Sequence, residues 1–357
     1  MKISRTTIYK LAPQMRIYDN FSHEWKPFIM YSNKTNLRTK VVNTDNLGLR
    51  FNLLNNDNNS HKSIFDQKNT NQEFGLIIGS STVFGLGCSE DDQTISSKLS
   101  KLSGTLFFNL GVSAFSGFQE VILHQSLINK VSKAKYIFIF SGLNDLFMQE
   151  YINKYDVELG PYFYSNQFKS GMYNSVLSKK RKIAKFLFSP LLDENIDWQH
   201  ISKKQLIENI LNRKIIFENG RKLNLKDLKN FILRNLTYWS NIEKVYKTKV
   251  KYILQPFPAW CKKNLTQEER EIFEELDNND LRVFKVIKSL ENYYIEYKKI
   301  LIECCDISGI EFLDSNEYFK NSVNSEDWCF LDRAHLTDKG NQHISNFMFS
   351  VLKKDEI

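Results

Sequence analysis

The chain has 357 residues, 42% of them hydrophobic and 25% charged, with a net charge of +8, the profile of a soluble globular protein holding one large domain with an insertion, or two domains. No apolar run approaches the roughly 20 residues that cross a bilayer, and Met1–Pro13, though basic, lacks the apolar stretch of a signal peptide. The five cysteines (Cys88, Cys261, Cys304, Cys305, Cys329) form no regular spacing, which excludes a disulfide framework or zinc knuckle and points to reduced thiols and a cytoplasmic protein, at most peripheral to a membrane.

Taken in chain order, the pattern is that of an α/β protein. Residues up to 72 carry few long periodic stretches and an Asn-rich loop at Asn55–Asn59, and read as an N-terminal extension packed on the main domain. Phe74–Gly79 is a short apolar strand ending in Gly-Ser-Ser, followed by a helix over Gln93–Leu102. A second strand over Thr105–Leu110 precedes a helix over Gly117–Val131. Lys135–Phe140 is a third strand, and Lys249–Leu254 a fourth, stopped by Pro256. Thr266-Gln-Glu-Glu269 has the form of a capping box and starts a helix. Leu281–Leu301 reads as one long helix with Phe284, Ile287, Leu290, Tyr294 and Tyr297 on one stripe. Gly309–Leu313 is a fifth strand, and a last helix from about Thr337 buries Ile344, Phe347, Met348 and Val351.

Alternating strands and helices imply a parallel sheet covered on both faces, with the ligand site beyond the carboxyl ends of the strands. The core then comprises 73–146 and 248–357, and 147–247 is a mostly helical insertion. Lys169–Lys249 holds 18 Lys/Arg against 7 Asp/Glu. Such an excess can recruit an anionic or membrane-linked saccharide, or be a solvated helix face. No nucleic-acid motif accompanies it, and Lys179–Lys182 reads as a charged helix face.

Three sets of residues carry chemistry. Gly79-Ser80-Ser81 turns from a strand into a helix, where a hydroxyl is exposed and the first amides can stabilise negative charge; alone, this is also an ordinary turn. Asp332-Arg-Ala-His335 can supply a base and the carboxylate that orients it from one loop. Gly111 and Asn144, each following a strand, can join the Ser81 amide as oxyanion donors. His23, His61, His124, His200 and His343 show no metal-ligand spacing. Trp260 and Phe257, after the fourth strand, are either core or site lining.

The order Ser81, Gly111, Asn144, then Asp332 with His335 resembles the SGNH/GDSL hydrolase superfamily. The resemblance implies a flavodoxin-like three-layer α/β/α sandwich, with Ser81 as nucleophile, His335 as base, Asp332 as its orienting acid, and Ser81, Gly111 and Asn144 as the oxyanion hole. One departure is visible: Ser80 stands where the family usually has Asp, which leaves some ambiguity over which serine attacks; block spacing favours Ser81, because Gly85 then closes the motif correctly. Val42–Arg50, Gly85–Asp92 and Leu254-Gln-Pro256 are similar to a bacterial subgroup associated with surface polysaccharide synthesis. The implied activity is a serine esterase that removes an acyl group, acetyl foremost, from a saccharide or small ester. It needs no metal or organic cofactor. The alternatives are an O-acyltransferase using the same residues and a non-catalytic glycan-binding protein.

Overall fold

Five parallel strands form the central sheet of the computed structural model: β1 (Phe74–Gly79), β2 (Leu106–Gly111), β3 (Tyr136–Ser141), β4 (Lys249–Leu254) and β5 (Glu311–Asp314), in the spatial order β2-β1-β3-β4-β5. The described residues are 5–53, 61–66, 73–151, 162–164, 183, 187 and 224–355. Every residue of β1 and β3 is buried, as expected of parallel strands covered on both faces, where alternation gives way to continuous apolar runs. This is the flavodoxin-like order, which places its crevice between β1 and β3, where the chain reverses direction across the sheet.

On one face, the helices Ile95–Ser103 and Asp338–Asp355 set Leu99, Ile344 and Met348 against Ile77, Phe107 and Phe138. On the other lie Gly117–Ser126, Leu225–Tyr246 and Tyr294–Ser308, with Ile232 and Leu236 against Ile139. The sandwich therefore has three layers. The five cysteines are buried free thiols.

The chain divides into two compact units, Met1–Pro161 with Leu223–Ile357, and Tyr162–Lys222. The Asn55–Asn59 loop and most of the basic segment, including Lys179–Lys182, lie outside the described residues. No described helix is long and apolar enough to cross a membrane.

Three elements differ from the sequence reading. Leu225–Tyr246, counted with the insertion, belongs to the first unit: Leu228, Phe231, Ile232, Asn235, Leu236, Trp239 and Ile242 form its buried stripe. Its other positions carry part of the basic excess, which disguised it. The Gly117–Val131 segment breaks at Leu127 into Gly117–Ser126 and Ile128–Val131. The segment from Leu281 breaks into Leu281–Leu290 and Tyr294–Ser308. There the Leu290 carbonyl accepts from the Trp260 indole at 3.1 Å and from the Tyr293 amide, so it is turned out of the helical ladder.

The N-terminal residues are woven into this unit. Helices Thr6–Leu11 and Met15–Tyr18 add Ile8, Met15 and Tyr18 to the core. They lead into an antiparallel hairpin, His23–Lys26 with Met30–Asn33.

Candidate active site

The carboxyl end of β1 stops at Gly79, where a Cβ would meet the Phe140 carbonyl oxygen at 2.3 Å; only glycine lets β1 and β3 approach so closely. Ser80 then leaves the extended conformation and Ser81–Phe84 forms one helical turn, closed by Gly85 at φ +81°. This geometry lifts the Ser81 hydroxyl off the sheet edge.

At the other end of the chain, Phe330 and Leu336 pair across a tight turn. Within it, Asp332 Oδ1 accepts the backbone amides of Ala334 and His335, both at 2.8 Å. Asp332 Oδ2 lies 2.7 Å from His335 Nδ1, and His335 Nε2 lies 2.8 Å from Ser81 Oγ. Burial alone would raise the Asp332 pKa. The electrostatic pull and ring hydrogen bond of His335, with the two backbone amides, bring it down to about 2. Ionised Asp332 can only accept, so Nδ1 carries the imidazole hydrogen and Nε2 accepts from the serine. The serine that meets His335 is Ser81. Ser80 is the residue before the helix, and its carbonyl accepts the Phe84 amide.

Asn144 stands at the carboxyl end of β3, where one hydrogen of its carboxamide goes to the Phe115 carbonyl at 2.9 Å. No described residue takes the other. Gly111 does not serve as expected: its amide donates to Asn109 Oδ1 at 2.9 Å. Its lack of a side chain has a different cause, since a Cβ there would sit 2.1 Å from the Phe84 nitrogen. Gly111 is where β2 and the Ser81 turn touch. Three residues on, Ala114 adopts φ +61°, a left-handed conformation uncommon outside glycine. It is half-exposed, beside the Phe115 carbonyl that holds Asn144. Its amide has no acceptor among the described residues, while its carbonyl accepts the Tyr31 hydroxyl at 2.6 Å.

Sequence reasoning missed Ala114, because a left-handed alanine carries no sequence signal. It also missed Asn33, whose side chain donates to the Gly111 carbonyl at 3.2 Å and accepts the Ser113 amide at 3.0 Å. The N-terminal hairpin thereby holds the loop after β2. Trp260 and Phe257 do not line the site: both are buried, with rings edge-to-face at 5.1 Å. His124 is fully buried against Trp239, which pushes its pKa down to about 4.

Behind Asn144, Asp145 and Glu120 are buried around a cavity of about 10 Å³ shared with Ser141, Asn235 and Tyr252, room for about one water. Ser141 donates to Glu120 Oε1 and Gly117 to Asp145 Oδ1, whereas Glu120 Oε2 has no partner among the described residues. Burial first, then the Asp145 charge, pushes Glu120 up to about 8; burial brings Asp145 up to about 6. Because the folded state holds the Glu120 proton more tightly than the unfolded chain, its stabilising contribution is complete below pH 4 to 5. It fades as pH rises toward 8, at up to ~1.4 kcal/mol per pH unit. Glu120→Gln is expected to flatten that decline between pH 6 and 8, as read from thermal unfolding at each pH.

Among the described residues, no group of three His, Cys, Asp or Glu side chains is placed to hold a metal ion. No protein-family model matches the chain, and no curated protein matches it. Similar solved structures include an acetyl xylan esterase, AlAXEase, at 11% identity and TM-score 0.39, covering 77% of this chain and 98% of that one. A GDSL-like lipase from Bacteroides ovatus ATCC 8483 is 11% identical at TM-score 0.37, over 79% of this chain and 53% of its own. LAE5, an alpha/beta hydrolase enzyme from the metagenome of Lake Arreo, Spain, is 11% identical at TM-score 0.36, covering 78% and 94%.

Proposed function

We propose that the protein is a serine ester hydrolase working through an acyl-enzyme on Ser81. The observation that carries this reading is the unbroken line from Ser81 Oγ through the His335 ring to Asp332, with links of 2.8 and 2.7 Å. Serine is a weak nucleophile until a base takes its proton, and a base held in one tautomer by a carboxylate does so efficiently. Ser81 Oγ attacks the ester carbonyl carbon as His335 Nε2 takes the hydroxyl proton. The carbonyl oxygen becomes an oxyanion facing the Ser81 amide, the Ala114 amide and the Asn144 carboxamide, with Ala114 in the place first expected of Gly111. Collapse breaks the bond to the alcohol, which leaves with the proton from His335. Water, deprotonated by His335, then attacks the acyl-enzyme and frees the acid and the serine.

An acetylated saccharide or related small ester is the substrate class we favour. That choice rests on the resemblance of Val42–Arg50, Gly85–Asp92 and Leu254–Pro256 to enzymes of surface polysaccharide synthesis. The basic excess between Lys169 and Lys249 extends the proposal to an anionic saccharide.

A fluorophosphonate probe tests the core of this reading. The wild type is expected to be labelled and to hydrolyse p-nitrophenyl acetate, and Ser81→Ala to do neither. Equal labelling of Ser81→Ala, or none of the wild type, contradicts a nucleophilic Ser81.

A further inference from the structure

The Ser81 turn and the Asp332–His335 loop lie 254 positions apart in sequence, so something must hold them in register. The Ala334 peptide is fixed from both sides. Its amide is taken by Asp332. Its carbonyl accepts from the Thr82 hydroxyl at 3.1 Å and from Gln255 Nε2 at 2.8 Å. Gln255 Nε2 also donates to Thr82 Oγ1 at 2.8 Å. Three groups thus close a triangle: the residue after the nucleophile, the residue before the base, and a carboxamide from a third element.

That third element is rigid. Gln255 follows β4, its amide donates to the Ser141 carbonyl at 3.0 Å, and its own carbonyl accepts from Asn316 Nδ2 at 3.2 Å. The residue is 2% exposed. Only a side chain with two hydrogens on one nitrogen can donate to both Thr82 Oγ1 and the Ala334 carbonyl. Leucine would fill the volume and donate nothing; glutamate would present an acceptor to a carbonyl.

We infer that Gln255 is a positioning residue for the reaction: it ties the His335 loop to the Ser81 turn and so sets the serine–imidazole contact. The inference rests on the Ser81 reading above. Misplacing reacting groups by about 1 Å can cost about 100-fold in rate.

The test uses the full chain with p-nitrophenyl acetate and a fluorophosphonate probe, on wild type, Gln255→Leu, Gln255→Glu, Thr82→Val and the Gln255→Leu/Thr82→Val double variant. For each single Gln255 variant, kcat and the labelling rate are expected to fall together by about 10- to 100-fold per folded molecule, with KM within about twofold. The double variant should lose less than the product of the two single losses, because both act on the Ala334 carbonyl. Wild-type labelling rates in Gln255→Leu, or losses that vanish once corrected for the folded fraction, overturn the positioning role while leaving Ser81 as nucleophile. An unlabelled wild type overturns the Ser81 reading instead, and this role with it.

Discussion

Asp332→Asn is expected to lower kcat/KM for p-nitrophenyl acetate by about 10⁴-fold, some 5 kcal/mol of transition-state stabilisation, with little change in thermal stability. The reason lies in how the carboxylate is pinned. Oδ1 accepts two backbone amides, from Ala334 and His335, and a carboxamide must keep its oxygen there to satisfy them. Its NH2 group then falls where Oδ2 now meets His335 Nδ1. Nδ1 then faces a donor at the nearer of its two contacts, 2.7 Å against 2.9 Å to Oδ1, which favours the tautomer in which Nδ1 accepts and Nε2 carries the hydrogen and points it at Ser81 Oγ. The base is converted into a donor with hardly an atom displaced. An Asp332→Asn variant with more than a tenth of wild-type activity would show that His335 does not depend on its partner.

Arg50→Met should cost about 3–5 kcal/mol of folding stability, the scale for stranding one member of a buried ion pair, seen as a large drop in the midpoint of urea unfolding. The Arg50 side chain is fully buried, with Nε 2.7 Å from Asp91 Oδ1. Nη1 reaches the Gly85 carbonyl at 2.7 Å and the Tyr18 hydroxyl at 2.9 Å, and Nη2 the Val41 carbonyl at 2.7 Å. Methionine fills the volume but leaves a buried carboxylate and three carbonyls, of Val41, Phe84 and Gly85, that lose a donor. Lysine should rescue little, since a point ammonium cannot reproduce a planar fork reaching five partners. Arg50 lies over the carbonyl end of the Ser81 turn but bonds none of the Ser81, Asp332 and His335 side chains, so its loss is expected to act through stability rather than chemistry. Residual folded Arg50→Met should retain the slope of activity against folded fraction.

Much of the sheet was legible in the sequence because parallel strands announce themselves. β1 and β4 fall where their apolar runs begin and end, and β2 and β3 within one residue. The Thr266 capping box is present as read, its Glu269 side chain returning to the Thr266 amide at 2.9 Å. The Asp332–His335 spacing was legible because both partners sit on one short turn. What stayed hidden depends on residues distant in sequence. Gly111 looked like a donor because a glycine after a strand fits that purpose; only the closeness of Phe84 shows why it is glycine. Ala114 and Asn33 could not be picked out, since one depends on a backbone angle and the other on a hairpin folding over a loop 80 residues further on. Gln255 stood in a noticed tripeptide, but its two acceptors, 173 and 79 positions away, are visible only in three dimensions.

The wide separation of Ser81 from His335 has a consequence for how the molecule is born. Loop-closure entropy makes long-range contacts late arrivals in folding, and parallel sheets are slow for that reason. The strands β1, β2 and β3 can associate once synthesis has passed Ser141, with the serine already on its turn. The imidazole is made 254 positions after the serine, just before the Asp338–Asp355 helix that packs beside Ile95–Ser103. Under the proposed mechanism, a nascent chain that has not reached residue 335 therefore displays a serine with no base. On that proposal, reactivity appears only when the His335 loop docks on the Ser81 turn, and copies in which it has not docked are chemically silent.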